Sequence, residues 1–251
     1  VEVAVKSPFA AESGHWYHRD GSPCYEVPAK KGGMRATNIR DARALDLVPS
    51  VTTITALAAR PGLEIWKQQQ VMLAALTMPR IEGEADKAFV ARLVADSREQ
   101  AKKAAARGTA IHAAIEKSFR GEFIEDEFRP WVKAVWGVLP GGKDWGTERS
   151  FADNLFGFGG KVDLWDADGA GTVIDFKSKD GDLAGVECYD EHFMQLAAYR
   201  VGLGVSNAEC GNMFISRDAP VALLRMHKPE DLNRGWRQFE ALLSYWKATN
   251  L

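Results

Sequence analysis

Gly159-Gly160-Lys161-Val162-Asp163-Leu164-Trp165, the polar run Asp166-Ala167-Asp168-Gly169-Ala170-Gly171, and Thr172-Val173-Ile174-Asp175-Phe176-Lys177 form the stretch on which the rest of this chain is organised. β-branched and aromatic residues dominate both arms, and Asp and Gly between them are turn chemistry, so the stretch predicts a β-hairpin. Side chains alternate along a strand, which puts Asp175 and Lys177 on one face, about 7 Å apart, and Ile174 and Phe176 on the other. In a compatible register Asp163 joins the first face, and two acids and one amine then converge on one patch. Alone, such a trio reads as solvated cross-strand charge of little worth. Two distant stretches with polar residues spaced to meet it change that reading.

The 251 residues, 46% hydrophobic and 26% charged, suffice for one large domain or a domain with an added lobe. A net charge of -2 gives no global attraction to nucleic acid, so a DNA partner needs a local basic channel, and a plain DNA-coating protein is disfavoured. Cys24, Cys188 and Cys210 are odd in number and widely spaced, which fits a reducing compartment and excludes a four-thiolate iron-sulfur cluster or zinc site built by this chain alone. No apolar run approaches the roughly 18 residues of a membrane span, and no secretory signal precedes the polar start. A cytoplasmic location, in a bacterium or a phage-infected host, is expected. The start at Val1 leaves a removed leader and an organellar origin open.

Three segments are expected: an N-terminal arm or small β-hairpin region over 1–48, a helical segment over 49–97 and a core over 98–251. In the arm, His15-Trp16-Tyr17-His18 and Cys24-Tyr25-Glu26-Val27 flank Asp20-Gly21 as a hairpin would, and Lys30-Lys31-Gly32-Gly33-Met34-Arg35 is a basic loop. Ser50 or a neighbouring Thr caps a helix running toward Ala59, Pro61-Gly62 breaks it, and a second helix from Leu63 through Trp66 and Leu76 stops at Pro79. A separate amphipathic helix is expected over 84–96, and a long alanine-rich one over 98–120 with Ile111, Ile115 and Phe119 as its apolar stripe. His112 and Glu116 lie one turn apart on a neighbouring face. Gly108 costs that helix about 0.5 to 1 kcal/mol relative to alanine, which a close approach to another backbone would explain.

Beyond a helix near Trp131, strands over 147–151, 156–165 and 172–178 read as an antiparallel meander. A helix over 192–201 places Gln195 and Tyr199 on one face, two strands follow over 209–216 and 221–227, and a helix opening at Pro229 carries Leu232, Trp236, Phe239, Leu243 and Trp246 along one side.

Gly108 to Glu116 with its His112, Gly160-Lys161-Val162-Asp163, Ile174-Asp175-Phe176-Lys177-Ser178 and Gln195-Leu196-Ala197-Ala198-Tyr199 stand in one order. Together they resemble the RecB-like branch of the PD-(D/E)XK nuclease superfamily. Pro49-Ser50-Val51-Thr52-Thr53, with Leu63 and Trp66, is similar to the N-terminal part of exonucleases of the mitochondrial genome maintenance type and related phage proteins. The resemblance spans 108–199 and departs from the usual motif at Val162, where a proline is common. It implies an α/β (α+β) restriction-endonuclease-like core, a central mixed β-sheet flanked by helices, with the N-terminal arm and a helical insert that arches over the site.

The activity so implied is metal-dependent hydrolysis of DNA phosphodiesters by an exonuclease, on single strands or strand ends, in replication, repair or recombination; a structure-specific endonuclease and a non-catalytic nucleic-acid binding protein are the alternatives. Asp163 and Asp175 offer hard oxygen ligands for Mg2+ or Mn2+, His112 an imidazole, and the Phe176 carbonyl completes the ligands by resemblance. Lys177 would orient or deprotonate the attacking water or stabilise the transition state. Glu116 would hold a metal-bound water or second ion, or orient His112. Gln195 and Tyr199 would contact the nucleophile or scissile phosphate. Arg98, Lys102, Lys103, Arg107, Lys179 and Arg200, with Ser50 and Thr52, are the expected DNA contacts. A recombination or replication protein is a conceivable further partner, and the oligomeric state is open.

Overall fold

The computed structural model describes residues 15–59, 61–166 and 171–250; the first part of the expected N-terminal arm, Arg60, the tip of the central hairpin, Leu251 and the side chains of Pro61 and Leu63 lie outside the described residues. In chain order, β1 (Trp16–Tyr17), β2 (Glu26–Pro28), β3 (Met34–Ala36), α1 (Ile39–Ala44), β4 (Val48–Pro49) and α2 (Val51–Thr55) form the N-terminal region. The helices α3 (Pro61–Thr77), α4 (Asp86–Phe119) and α5 (Arg129–Val138) follow. Then come β5 (Trp145–Asp153), β6 (Phe158–Asp166), β7 (Thr172–Lys179), α6 (Asp190–Gly202), β8 (Glu209–Ser216), β9 (Ala222–Met226) and α7 (Pro229–Asn250).

The strands β5 to β9 make one five-stranded mixed sheet in chain order. The meander β5-β6-β7 is antiparallel, β7 and β8 are parallel, and β8 and β9 are antiparallel. A parallel neighbour needs a crossover, and α6 supplies it. Because helices cover both faces, β8 reads as a buried run from Cys210 to Ser216 rather than an alternating one. Ile174, Phe176, Met213 and Ile215 pack with Ile111 and Ile115 of α4 and Val132 and Val135 of α5. Val173 and Cys210 face the other way, into a cluster with Leu196 of α6 and Phe239, Leu243 and Trp246 of α7.

Two expectations change. The helices foreseen over 84–96 and 98–120 are one, since nothing between Asp96 and Arg98 breaks a helix; Ser97 turns its hydroxyl back onto the Val94 carbonyl at 2.9 Å. The boundary expected at residue 97 therefore falls inside α4. In the arm, the hairpin expected about Asp20-Gly21 forms, with Tyr17 bridged antiparallel to Pro23 and the Cys24 amide donating to the Trp16 carbonyl at 2.8 Å; beyond it, β1 also pairs with β4, and β2 with β3 across the Lys30–Gly33 turn. Backbone pairing to the distant Val48–Pro49 segment is what ties the arm to the core.

The helices α6 and α7 pack most closely where α7 carries Gly235. A Cβ added there would lie 2.5 Å from the Phe193 carbonyl carbon and 2.8 Å from the Met194 nitrogen, both backbone atoms that no rotamer change moves. Alanine gains about 1 kcal/mol of helix propensity, but overpacking costs about 1 to 3 kcal/mol. Gly235→Ala is therefore expected to lower stability by up to about 2 kcal/mol, read from the urea unfolding midpoint; a raised midpoint would contradict the close α6–α7 contact.

Candidate functional site

Where β6 meets β7, the ladder opens at Asp163. Pairing runs from Asp166↔Thr172 to Leu164↔Ile174 and stops. The Phe176 amide instead donates to Asp163 Oδ2 at 2.7 Å, so the carboxylate takes a bond that the strand backbone would have accepted. On the other side, Glu148 of β5 has a φ of 56°, and the β5–β6 pairs skip from Thr147↔Leu164 to Arg149↔Val162. The alternation of β6 breaks here too: Val162 joins the apolar cluster with α6 and α7, whereas Leu164 joins the one with α4 and α5. A local distortion thus aims Asp163 toward β7.

Asp175 is 2% exposed and makes contacts that account for both carboxylate oxygens. Oδ1 accepts from Gln195 Nε2 at 2.8 Å. Oδ2 pairs with Lys177 Nζ at 2.6 Å and accepts from Asn212 Nδ2 at 2.9 Å. Gln195 ties the cluster together, because its Oε1 accepts from Lys177 Nζ at 2.8 Å while Nε2 also reaches the Tyr199 hydroxyl at 2.8 Å. The helical spacing of Gln195 and Tyr199 and the strand spacing of Asp175 and Lys177 do what their periodicities predict. Asn212 was not anticipated. Parallel pairing of β7 and β8 sets it directly beside Asp175, and its Oδ1 in turn lies 2.8 Å from His227 Nε2, which donates to it. The available signal was one amide inside the otherwise apolar Cys210–Ile215 run.

His112 reaches β7 from α4. Its Nε2 lies 3.0 Å from Ser178 Oγ, and its ring meets Phe176 edge to face at 5.7 Å. Gly108, one turn earlier, lets α4 come this near: a Cβ there would lie 2.9 Å from Ser178 Oγ, so the close approach is to a side chain rather than to backbone. Glu116 does not orient the imidazole; its carboxylate pairs with Arg120, one turn on, since that guanidinium is the nearer charge on the same helix face. It still bears on Asp163, whose pKa it helps to raise.

Burial dominates the electrostatics. It pushes the Asp175 carboxyl up to about 6 against the pull of Lys177, with Asp163 adding to the rise. Burial likewise raises Asp163, opposed by the Phe176 amide and by Lys177 and Lys161. It lowers His112 to about 4, so the ring is neutral at pH 7. Two desolvated acids and a neutral imidazole are the donor chemistry of a site for a hard divalent cation such as Mg2+ or Mn2+. The arrangement is not a closed coordination shell, however: among the described residues no group of three or more His, Cys, Asp or Glu is placed to hold a metal ion. Asp175 is taken up by three donors, Asp163 by the Phe176 amide and His112 by Ser178.

The expected DNA contacts divide. Arg98 and Lys102 are exposed on α4, as is Lys103, which pairs with Glu99 at 3.0 Å. Arg107 is held by Glu127 at 3.0 Å and lies over Phe128 and Trp131, and so serves the packing of α4 on α5. Lys179 stands 5.7 Å over the Tyr189 ring, with its pKa lowered by burial and by neighbouring Lys177 and Arg217. Arg217, absent from the expected set, donates to Asp180 at 2.6 Å beside Ser178. Arg200 is 7% exposed and bonds Asn233 of α7 at 2.7 Å, which removes it from any strand-binding surface. Ser50 is buried as well, its hydroxyl spent on capping α2 at Thr53 N, whereas Thr52 is exposed with its hydroxyl 2.9 Å from that of Ser50. The arm contributes what the sequence did not announce: Tyr17, bonded to the Tyr25 hydroxyl at 2.8 Å, packs on Gly159, and His15 stacks on Tyr25.

No protein-family model matches this chain, and no curated protein matches it. A solved structure described as "Crystal structure of SSO0001" is 14% identical, with 72% of this chain and 86% of that chain covered, at a TM-score of 0.31. A likeness that weak carries no argument. What stands is the class that the coordinates define, a mixed α/β protein whose five-stranded sheet carries a buried acid–amine–amide cluster on one face.

The Asp175 shift has a measurable sign. A carboxyl at 3.8 when unfolded and about 6 when folded contributes stability that is complete below 3.8 and is lost as pH rises through 6. In the presence of a chelator, the wild-type chain is expected to lose on the order of 1 to 3 kcal/mol relative to Asp175→Asn between pH 4 and 7. Urea midpoints across that range test it, and parallel curves for the two proteins would refute the buried charge. In the same assay Asn212→Ala, which strands the His227 N–H and removes a donor from Asp175, is expected to cost about 1 to 3 kcal/mol.

Proposed function

We propose that this chain is a metal-dependent deoxyribonuclease of the PD-(D/E)XK type, acting as an exonuclease on single-stranded DNA or strand ends. The observation that carries the reading is the joining of Asp175, Lys177, Gln195 and Tyr199, which come from separate segments, into one hydrogen-bonded cluster beside Asp163 and His112. In this reading Asp163, Asp175 and the Phe176 carbonyl hold a Mg2+ or Mn2+ ion, with His112 as a further donor. The ion supplies charge for the phosphorane-like oxygens and lowers the pKa of an attacking water.

The side chains then divide the remaining work. Lys177, held 2.6 Å from Asp175 Oδ2 and 2.8 Å from Gln195 Oε1, would orient the incoming water or stabilise the charge that develops in the transition state. Gln195 keeps hold of Lys177 and positions it without adding charge. Tyr199, whose pKa lies well above its usual value through burial and the nearby acids, stays protonated and keeps a hydroxyl for hydrogen bonding. Lys179 and Arg217, next along β7 and after β8, suit a phosphate flanking the reacting one. Arg98 and Lys102 extend a basic track along α4.

The test is digestion of end-labelled linear single-stranded DNA with Mn2+ or Mg2+, beside covalently closed single-stranded circles. Linear DNA is expected to shorten from an end while circles survive, and Lys177→Ala to slow digestion by at least about 100-fold, the scale of general acid–base contributions. Cut circles would make the protein an endonuclease. Absence of cleavage on every DNA substrate and with either ion would leave a nucleic-acid binding protein without turnover.

A further inference from the structure

A cavity of about 390 Å³ lies on the far side of β1 from Tyr17, bounded by α1, β4, the turn before β6 and the end of α7. Its lining reaches Gly157, six residues and on the order of 20 Å along the chain from Asp163, so it is apart from the acid cluster. Trp16 and Trp246 form one wall, their rings 5.9 Å apart. Trp16 is 4% exposed, and its indole N–H has no hydrogen-bond partner among the described residues.

The charge around the cavity suits an anion. Arg19, Arg43 and Lys247 line it against the single carboxylate of Asp46. Arg19 holds that carboxylate in a two-bond fork, at 3.1 and 2.8 Å. Arg43 donates to the Asn250 carbonyl, and Lys247 to the Phe156 carbonyl at 2.6 Å; both acceptors are neutral. Two cations thus line the cavity with no carboxylate of their own among the described residues, while Ile39, Leu47 and Leu155 give it apolar walls. We infer that this cavity binds a phosphate monoester of nucleotide size, its dianion between Arg43 and Lys247 and its apolar body against the Trp16 and Trp246 indoles. The volume lies within the ordinary range of small-molecule sites. The inference does not rest on the nuclease reading, since it concerns binding at a different place.

Isothermal titration of the full chain in a chelator with 2′-deoxyadenosine 5′-monophosphate, and separately with inorganic phosphate, tests it. The nucleotide is expected to bind more tightly than phosphate. Lys247→Gln and Arg43→Gln, the latter at an exposed position, are each expected to weaken it at least tenfold with thermal midpoints near that of the wild type. Asp175→Asn is expected to leave it unchanged. No binding of either probe, equal affinity for the two, affinity unaltered in Arg43→Gln, or binding lost in Asp175→Asn would each overturn the assignment. Arg43→Gln keeps the test decisive should Lys247→Gln, which also loses the bond to the Phe156 carbonyl, fail to fold.

Discussion

A single carboxylate removed from water organises this molecule. Asp175 stands in the middle of the sheet, and a charge there is tolerable only if donors replace the water it loses. They arrive from three elements: Lys177 along the same strand, Asn212 from the parallel neighbour and Gln195 from the crossover helix. Each is held by something else in turn, Gln195 by Tyr199 and Asn212 by His227. Position of the α6 helix, the parallel step from β7 to β8 and the entry into α7 after His227 all converge on keeping that one group satisfied.

The cluster is polar at the expense of regular structure around it. The β6–β7 ladder ends so that the Asp163 carboxylate can receive the Phe176 amide, and Glu148 adopts a left-handed backbone opposite the same point. Ladder bonds lost at the end of a pair are replaced by a side-chain acceptor rather than left open, as buried backbone requires. Gly108 allows α4 to settle onto Ser178, which brings a neutral His112 to the rim. The result is a patch rich in oxygen donors whose acid pKa values are raised, chiefly by burial and against the pull of Lys177. Groups with such shifts gather preferentially at functional sites.

Basic residues show how far sequence neighbourhood can mislead. Arg98, Lys102, Lys103, Arg107, Lys179 and Arg200 all lie near the motifs in the chain, yet two of them are absorbed into packing. Arg107 sits on the Phe128 and Trp131 rings, and Arg200 is enclosed between α6 and α7. Arg217, placed next to Ser178 only by the β7–β8 pairing, is nearer the site than either. Helical and strand spacings fix which residues of one element share a face; they say nothing about which element lies across from it.

The local record in the chain was rich. β-branched and aromatic arms about an Asp/Gly run settled the two central strands, and strand spacing the common face of Asp175 and Lys177. Period-3.6 spacing settled the Gln195–Tyr199 pair and the stripe of α7, and the odd glycine at 108 marked a close approach. All of these are properties of one segment, decided by backbone geometry within a few residues, and so they are written in short stretches of sequence. Asn212 beside Asp175, Ser178 rather than Glu116 on His112, the Asp163 bond to Phe176 and the Trp16–Trp246 cavity depend on contacts between residues far apart in the chain. Those were decided only when parallel pairing, helix crossing and the β1–β4 link brought separate segments together, because burial and mutual desolvation exist for a side chain only once its neighbours are in place.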